Sequence, residues 1–260
     1  MSRTYLCVTS MNAAIYEQTG CRMIHSWLQH WADLDALLVV YFDDAIPVTF
    51  PQHPRIQARN LRREMPSLFD FQTRHQSPIC SGRFGNKYDY RRDARKFAFK
   101  PASIVHASRA TGSATHLVWL DADTLWQQPL TEAFLLERFP DAATIGTFLR
   151  ANYHSECGII FYSLHNPRTL QFISECWSIY VNDTIFLLTS WTDCDIYDLV
   201  AGHYTKHYYP SFQAINLGTD ASQHTGHPII NSPWAAYLDH LKGKRKLAGA
   251  SYASDKVLPA

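Results

Sequence analysis

Two spacings of apolar residues alternate along this chain. One is a consecutive run suited to a buried strand; the other is a three-and-four spacing suited to one face of a helix. Residues 4–10, TYLCVTS, form a β-rich run that leaves Thr9, Ser10, Met11 and Asn12 at its carboxyl end. In residues 16–31, Met23, Ile24, Trp27, Leu28 and Trp31 keep helical spacing. Residues 35–44, DALLVVYFDD, predict a second buried strand ending in Asp43 and Asp44. Strand, helix and strand in that order, with strands this apolar, predict a parallel sheet covered on both faces.

Residues 51–90 break the pattern, being rich in Pro, Arg, Ser and Gly. They predict a short strand around Ile56 and loops from Ser77 to Asn86. A stretch this irregular inside a compact domain is usually disordered or functional. Periodicity then resumes. Ala94, Phe97, Ala98, Ile104 and Val105 trace one apolar helix face, and Asp93, Lys96 and Lys100 fall on a polar one. Pro101 should kink that helix or start a second. LVWL at 117–120 is a third buried strand, and AATIGTF at 142–148 and CGIIFYSL at 157–164 are β-rich. Leu170, Ile173, Cys176, Trp177 and Tyr180 predict a helix over 167–183 with Pro167 in its first turn, and 194–204 predict another short helix. No repeat, low-complexity tract or linker interrupts the chain. The expectation is one α/β domain over residues 1–260, with a central, mostly parallel sheet and helices on both faces.

Composition adds an asymmetry. The net charge is only +1, but residues 51–100 carry twelve Lys or Arg against four Asp or Glu, so the other 210 residues sum to −7. Such a local excess suits a polyanion, a diphosphate or a solvated loop. Aromatics make up 13% of the chain, enough to build a core and to line carbohydrate or base pockets. The six cysteines form no CxxC pair, which argues against a zinc knot, and Cys7 and Cys157 sit in apolar runs as small hydrophobes. The N-terminal residues lack a signal-peptide h-region, and no apolar run reaches transmembrane length. The expected setting is a reducing, cytoplasmic one.

The chemistry concentrates in LVWLDADTLW, residues 117–126, where a buried strand ends in Asp121 and Asp123. Ligands of open α/β sheets bind beyond the carboxyl ends of the strands. Two residues apart in an extended segment, the two side chains would point to one side. Carboxylates sharing a site repel unless a cation joins them. Mg²⁺ or Mn²⁺ would do so and would also take phosphate oxygens, which points to a nucleotide diphosphate. The competing reading is a pair of acids that open a turn or cap a helix.

VWLDADTLWQQPL resembles the D-A-D form of the DxD motif of GT-A fold glycosyltransferases, in particular the retaining family 8 enzymes. SECGIIFYS is similar to that family's N-A-G-V strand, with Glu156 and Cys157 in place of Asn-Ala. WTDCDIYDLV is similar to its D-Q-D helix start, and DHLKGKRK to its C-terminal H-x-x-G-x-x-K-P-W motif, which it does not carry in full. The resemblance runs from Thr9 to about Ser251. It implies a metal held by Asp121, Asp123 and His240, with Asp121 also facing the ribose. It implies a base and ribose at Thr9, Ser10 and Asp43 or Asp44, and diphosphate contacts from among Lys242, Lys244 and Arg245. It also implies that one or two of Arg92, Arg95, Lys96 and Lys100 reach the donor. Asp193, with Asp195 nearby, is the first candidate for a carboxylate beneath the reacting sugar, and Glu156 the second, on the acceptor side.

The expected reaction moves a hexose from a nucleotide sugar, UDP-linked by preference, to a hydroxyl of a glycan or glycoconjugate. Hydroxymethylated bases of DNA are an alternative acceptor, given the basic segment. A sugar-phosphate nucleotidyltransferase would share the fold but usually carries a Gly-rich loop after the first strand, and TSMNAAIYEQTG has none. A binding module without catalysis is the third reading, and strand-tip acids favour it least.

Overall fold

The computed structural model describes residues 3–257. The strands in chain order are β1 (Tyr5–Met11), β2 (Ala36–Phe42), β3 (Ile56–Asn60), β4 (Arg83–Phe84), β5 (Lys87–Tyr88), β6 (His116–Leu120), β7 (Thr124–Trp126), β8 (Ile145–Phe148), β9 (Glu156–Ser163), β10 (Ala214–Asn216) and β11 (Leu238–His240). Seven of them form one sheet in the order β10-β8-β9-β6-β1-β2-β3. β9 runs antiparallel to both its neighbours, and every other pairing in this sheet is parallel.

Strand alternation divides the core into two layers, as the apolar runs require. Leu6 and Val8 of β1, with Leu117 and Trp119 of β6, face one layer. Tyr5 and Cys7, with Val118 and Leu120, face the other. The first layer is covered by the helices Pro66–Arg74, Phe99–Arg109, Pro167–Val181 and Asp193–Tyr208; the second by Cys21–His30 and Glu132–Arg138. Trp27, Trp31, Trp126 and Trp234 are fully buried in the second layer. The α/β architecture read from the apolar pattern is the observed one.

Several elements differ from the expectation. The stretch that breaks the apolar pattern contains the helices Leu61–Glu64 and Pro66–Arg74. Asn60 caps the first through Arg63 N at 3.2 Å, and Leu61, Met65, Leu68 and Phe71 are buried at helical spacing beneath the Arg-rich surface. Its loop region holds the two-stranded ribbon β4–β5. The helix expected to be short over 194–204 runs for 16 residues, Asp193–Tyr208, and its added turn is held by Tyr208, which packs on Tyr204 at 5.0 Å and lies beneath Arg168 at 4.2 Å. The helix around Lys96 is divided into Ala94–Phe97 and Phe99–Arg109, with Pro101 in the first turn of the second.

β1 lies between β2 and β6, so the chain leaves it in one direction along the sheet and returns on the other side. Parallel sheets open a crevice at such a reversal, beyond the carboxyl ends of the strands. Because β9 is antiparallel to β6, with Leu120 opposite Ile159, its first residues arrive at the same edge where β6 ends. Glu156, Cys157 and Gly158 are therefore delivered to the crevice by the one strand that runs the other way.

Candidate functional site

Asp121 and Asp123 do not lie in extended backbone. The chain turns directly after β6, with Asp121 O accepting from Thr124 N at 3.1 Å and from Thr124 Oγ1 at 2.9 Å. The turn brings the carboxylates together and starts β7 on the far side. β7 then pairs antiparallel with β11, placing His240 opposite Thr124, and Leu241 N donates to Asp123 O at 2.9 Å. This short clip carries a histidine 117 positions away in sequence onto the acid turn. His240 Nε2 lies 3.0 Å from Asp123 Oδ1 and 3.5 Å from Asp121 Oδ2.

One ligand atom from each of Asp121, Asp123 and His240 lies within 4.8 Å of the others, which makes this a candidate divalent-metal site. The donor set fits: two hard oxygens and one imidazole nitrogen suit a hard or borderline ion, and the nitrogen favours Mn²⁺ over Mg²⁺. The surroundings fit as well. On the far side of the ring, His240 Nδ1 faces Glu156 Oε1 at 3.3 Å, the carboxylate–histidine arrangement that orients metal-binding imidazoles. With no ion bound, burial opposes a charge on His240, but Asp123 and Glu156 outweigh it and raise the imidazole to about 9. Burial likewise opposes ionisation of Asp123, and His240 and Lys246 reverse that and lower its pKa.

A cavity of about 510 Å³ opens beside this cluster. Of the residues singled out from the sequence, Ser10, Asp43, Lys96, Lys100, Asp121, Asp123, Glu156, Asp193 and Lys242 line it. Lys100 is largely buried, with Nζ 2.9 Å from Asp121 Oδ1 and 2.5 Å from Asp193 Oδ2. Desolvation works against its charge, but Asp121 and Asp193 together hold its pKa well above the ordinary lysine value. Asp121 Oδ1 also accepts from Trp119 Nε1 at 2.7 Å. Asp193 opens the helix Asp193–Tyr208, where an acid is favourable against the helix dipole. Glu156 is buried and ion-paired with Lys242; burial opposes its ionisation, and Lys242 and His240 overcome that and pull its pKa well below the usual range. Burial, then Asp44, raises the pKa of Asp43.

Other expected residues lie away from the cavity lining. Thr9 is fully buried one residue before Ser10. Arg95 bonds Gln72 Oε1 at 2.8 Å, and Arg92 stacks over Trp191 at 4.8 Å. Arg245 pairs with Asp255 and lies over Tyr252, and Lys244 is exposed. Asp195 serves Thr192 and Ser190 rather than the cavity. Asp44 is exposed, and its Oδ2 accepts from Ala13 N at 3.3 Å.

Lys246, which is not among the residues expected at the site, enters instead. Its Nζ lies 2.9 Å from Asp123 Oδ2. In HLKGKRK it stands at the lysine of H-x-x-G-x-x-K counted from His240, so the spacing alone would have found it. His154, Thr192 and Tyr90 also line the cavity without any sequence signal that marked them.

No protein-family model matches the chain, and no curated protein matches it. Among solved structures, a glycosyltransferase involved in the glycosylation of the major capsid of PBCV-1 is similar over 94% of this chain and 98% of that one. The identity is 12% and the TM-score 0.49, so any functional reading has to come from the geometry of the site. Among the described residues, no helix is long and apolar enough to cross a membrane.

Proposed function

We propose that the chain is a metal-dependent glycosyltransferase of GT-A type, moving a hexose from a nucleotide-diphosphate sugar, with UDP as the first nucleotide to test, to a hydroxyl of a glycan or glycoconjugate. The observation that carries this reading is the convergence of Asp121, Asp123 and His240 at the carboxyl edge of the sheet, beside a cavity lined by both cations and a second set of carboxylates. A bound Mn²⁺ or Mg²⁺ would neutralise the diphosphate leaving group.

The protein side chains divide the remaining work. Ser10 and Asp43, at the ends of β1 and β2, take the nucleoside end of the donor. Lys242 and Lys246 reach the cavity from the segment after β11 and supply positive charge where the leaving diphosphate gains negative charge, which is where it helps most. Asp193 is the carboxylate that faces the oxocarbenium-like carbon, and its ion pair with Lys100 fixes its position. Glu156 is tied by Lys242 and His240, so it acts by positioning both. Held in its ion pair with Lys242, Glu156 is not the free base that inversion would need, which favours retention.

The test is hydrolysis of a panel of nucleotide sugars with Mn²⁺, in the wild type and in Asp123→Asn. The expected outcome is turnover of at least one donor that falls by about 10²-fold or more in the variant, the scale on which lost electrostatic stabilisation usually acts. Equal turnover in both proteins would remove the metal role, and no turnover of any donor would remove the function.

A further inference from the structure

The ribbon β4–β5 takes no part in the chemistry above, but the chain runs from it directly into the wall of the same cavity. Tyr90, two residues beyond it, lines the cavity, as do Lys96 and Phe97 from the next helix. Within twelve residues, Ile79, Phe84, Tyr88 and Tyr90 are 50%, 44%, 56% and 51% exposed, a density of uncovered large side chains that marks a contact surface.

The register of the ribbon pairs Arg83 with Tyr88 and Phe84 with Lys87. Directly opposed residues share a face, and successive residues alternate, so each face presents one aromatic ring beside one cation. Arg83 and Lys87 are exposed, and among the described residues neither is held in an ion pair. Their neighbours differ: Arg91 bonds Asp89 at 3.1 Å, and Arg92 is stacked on Trp191.

The ribbon is also braced. Gly82 adopts φ +71°, and a Cβ there would run into the carbonyl oxygen of Asp89, whose own N–H closes the ribbon onto Gly82 O at 2.8 Å. Tyr88 Oη donates to Asp93 Oδ2 at 3.0 Å, and Asp93 caps the helix that carries Lys96. Arg95, absent from the cavity lining, donates to Ser81 Oγ at 3.4 Å and so ties the base of the ribbon to that helix.

We propose that this ribbon is the docking platform for the acceptor, an oligosaccharide containing uronic-acid sugars. This deepens the glycosyltransferase reading and rests on it. An aromatic face takes the apolar face of a sugar ring, and the adjacent cation takes the carboxylate; the arginine fork matches a carboxylate with two hydrogen bonds. Nucleic acid fits less well. It needs a groove of cations that tracks successive phosphates, whereas the ribbon offers two, and the chain outside residues 51–100 is net negative.

The experiment measures binding of the full chain to a printed panel of neutral and uronate-bearing oligosaccharides and to a single-stranded DNA oligonucleotide, for wild type, Arg83→Gln/Lys87→Gln and Phe84→Ala. Melting temperatures confirm that the variants, all at exposed positions, fold. The expected result is a preference of about tenfold or more for uronate over neutral glycans. The double variant should lose that preference, and Phe84→Ala should weaken both classes. Absence of the preference, its survival in the double variant, or tighter binding of DNA overturns the platform. A thermal shift of the wild type by nucleotide sugars with Mn²⁺, measured alongside, reports on the enzyme reading separately. A donor shift without an acidic preference overturns the platform alone; no donor shift overturns the reading beneath it.

Discussion

At the scale of single residues, the site depends on an absent side chain. A Cβ at Gly158 would lie 2.5 Å from His240 Nδ1 and 3.2 Å from Glu156 Oε1. His240 is only 2% exposed, so its ring cannot clear that Cβ without leaving its present orientation. Gly158→Ala should therefore rotate the imidazole away from Asp123, weaken Mn²⁺ binding by about tenfold or more, and cost roughly 1–3 kcal/mol of stability. A Mn²⁺ titration followed by electron paramagnetic resonance, with a parallel thermal melt, reads both effects. Unchanged Mn²⁺ affinity would mean that His240 is not a ligand. Much of the site at this scale was legible. Asp121, Asp123 and His240 carry neighbourhoods that identify them, whereas Thr9 and Ser10 differ only in which side of a strand end they face, and letters do not record that. Arg95 and Lys96 are adjacent basic residues with different destinations, one at Gln72 and the other in the cavity.

At the scale of elements, the position of Asp193 is set by how its helix begins. Thr192 is the N-cap: Oγ1 accepts from Asp195 N at 3.2 Å and is bonded to the Asp195 carboxylate in return. Both contacts fix the first turn, and Asp193 projects from that turn towards Lys100. Thr192→Ala should destabilise the protein by about 1 kcal/mol. It should also lower kcat for donor turnover more than it raises KM, because Asp193 is assigned to the reacting carbon. Thr192→Ser should restore both. An alanine variant that melts and turns over like the wild type would show that the cap does not position the acid. The start of this helix was legible and its end was not, because the last two turns are held by aromatic packing from distant elements. The reversal of β9 was equally invisible: a strand buried on both faces has the same apolar run whichever way it points.

At the scale of the whole molecule, the proposed metal ligands join the middle of the chain to its C-terminal part. Asp121 and Asp123 lie on the turn after the central strand β6, and His240 ends β11. In the unfolded chain the histidine is separated from the acids by more than a hundred residues, so an ion that binds three ligands at once binds the folded state almost exclusively. Such an ion stabilises by mass action, by about 2.7 kcal/mol at a free concentration one hundred times its Kd. For a chain near this size each kcal/mol moves the melting temperature by about 2–4 °C, so saturating Mn²⁺ should raise it by roughly 5–10 °C. Chelation should reverse the rise. His240→Ala should lose most of it while leaving β7 and β11 paired, since their ladder is made by the backbone. The basic segment 51–100 provides the control: Arg83→Gln/Lys87→Gln should keep the full Mn²⁺ response, because neither residue belongs to the metal cluster. An equal Mn²⁺ shift in wild type and His240→Ala would place the ion elsewhere and leave the clip between β7 and β11 with a structural role only.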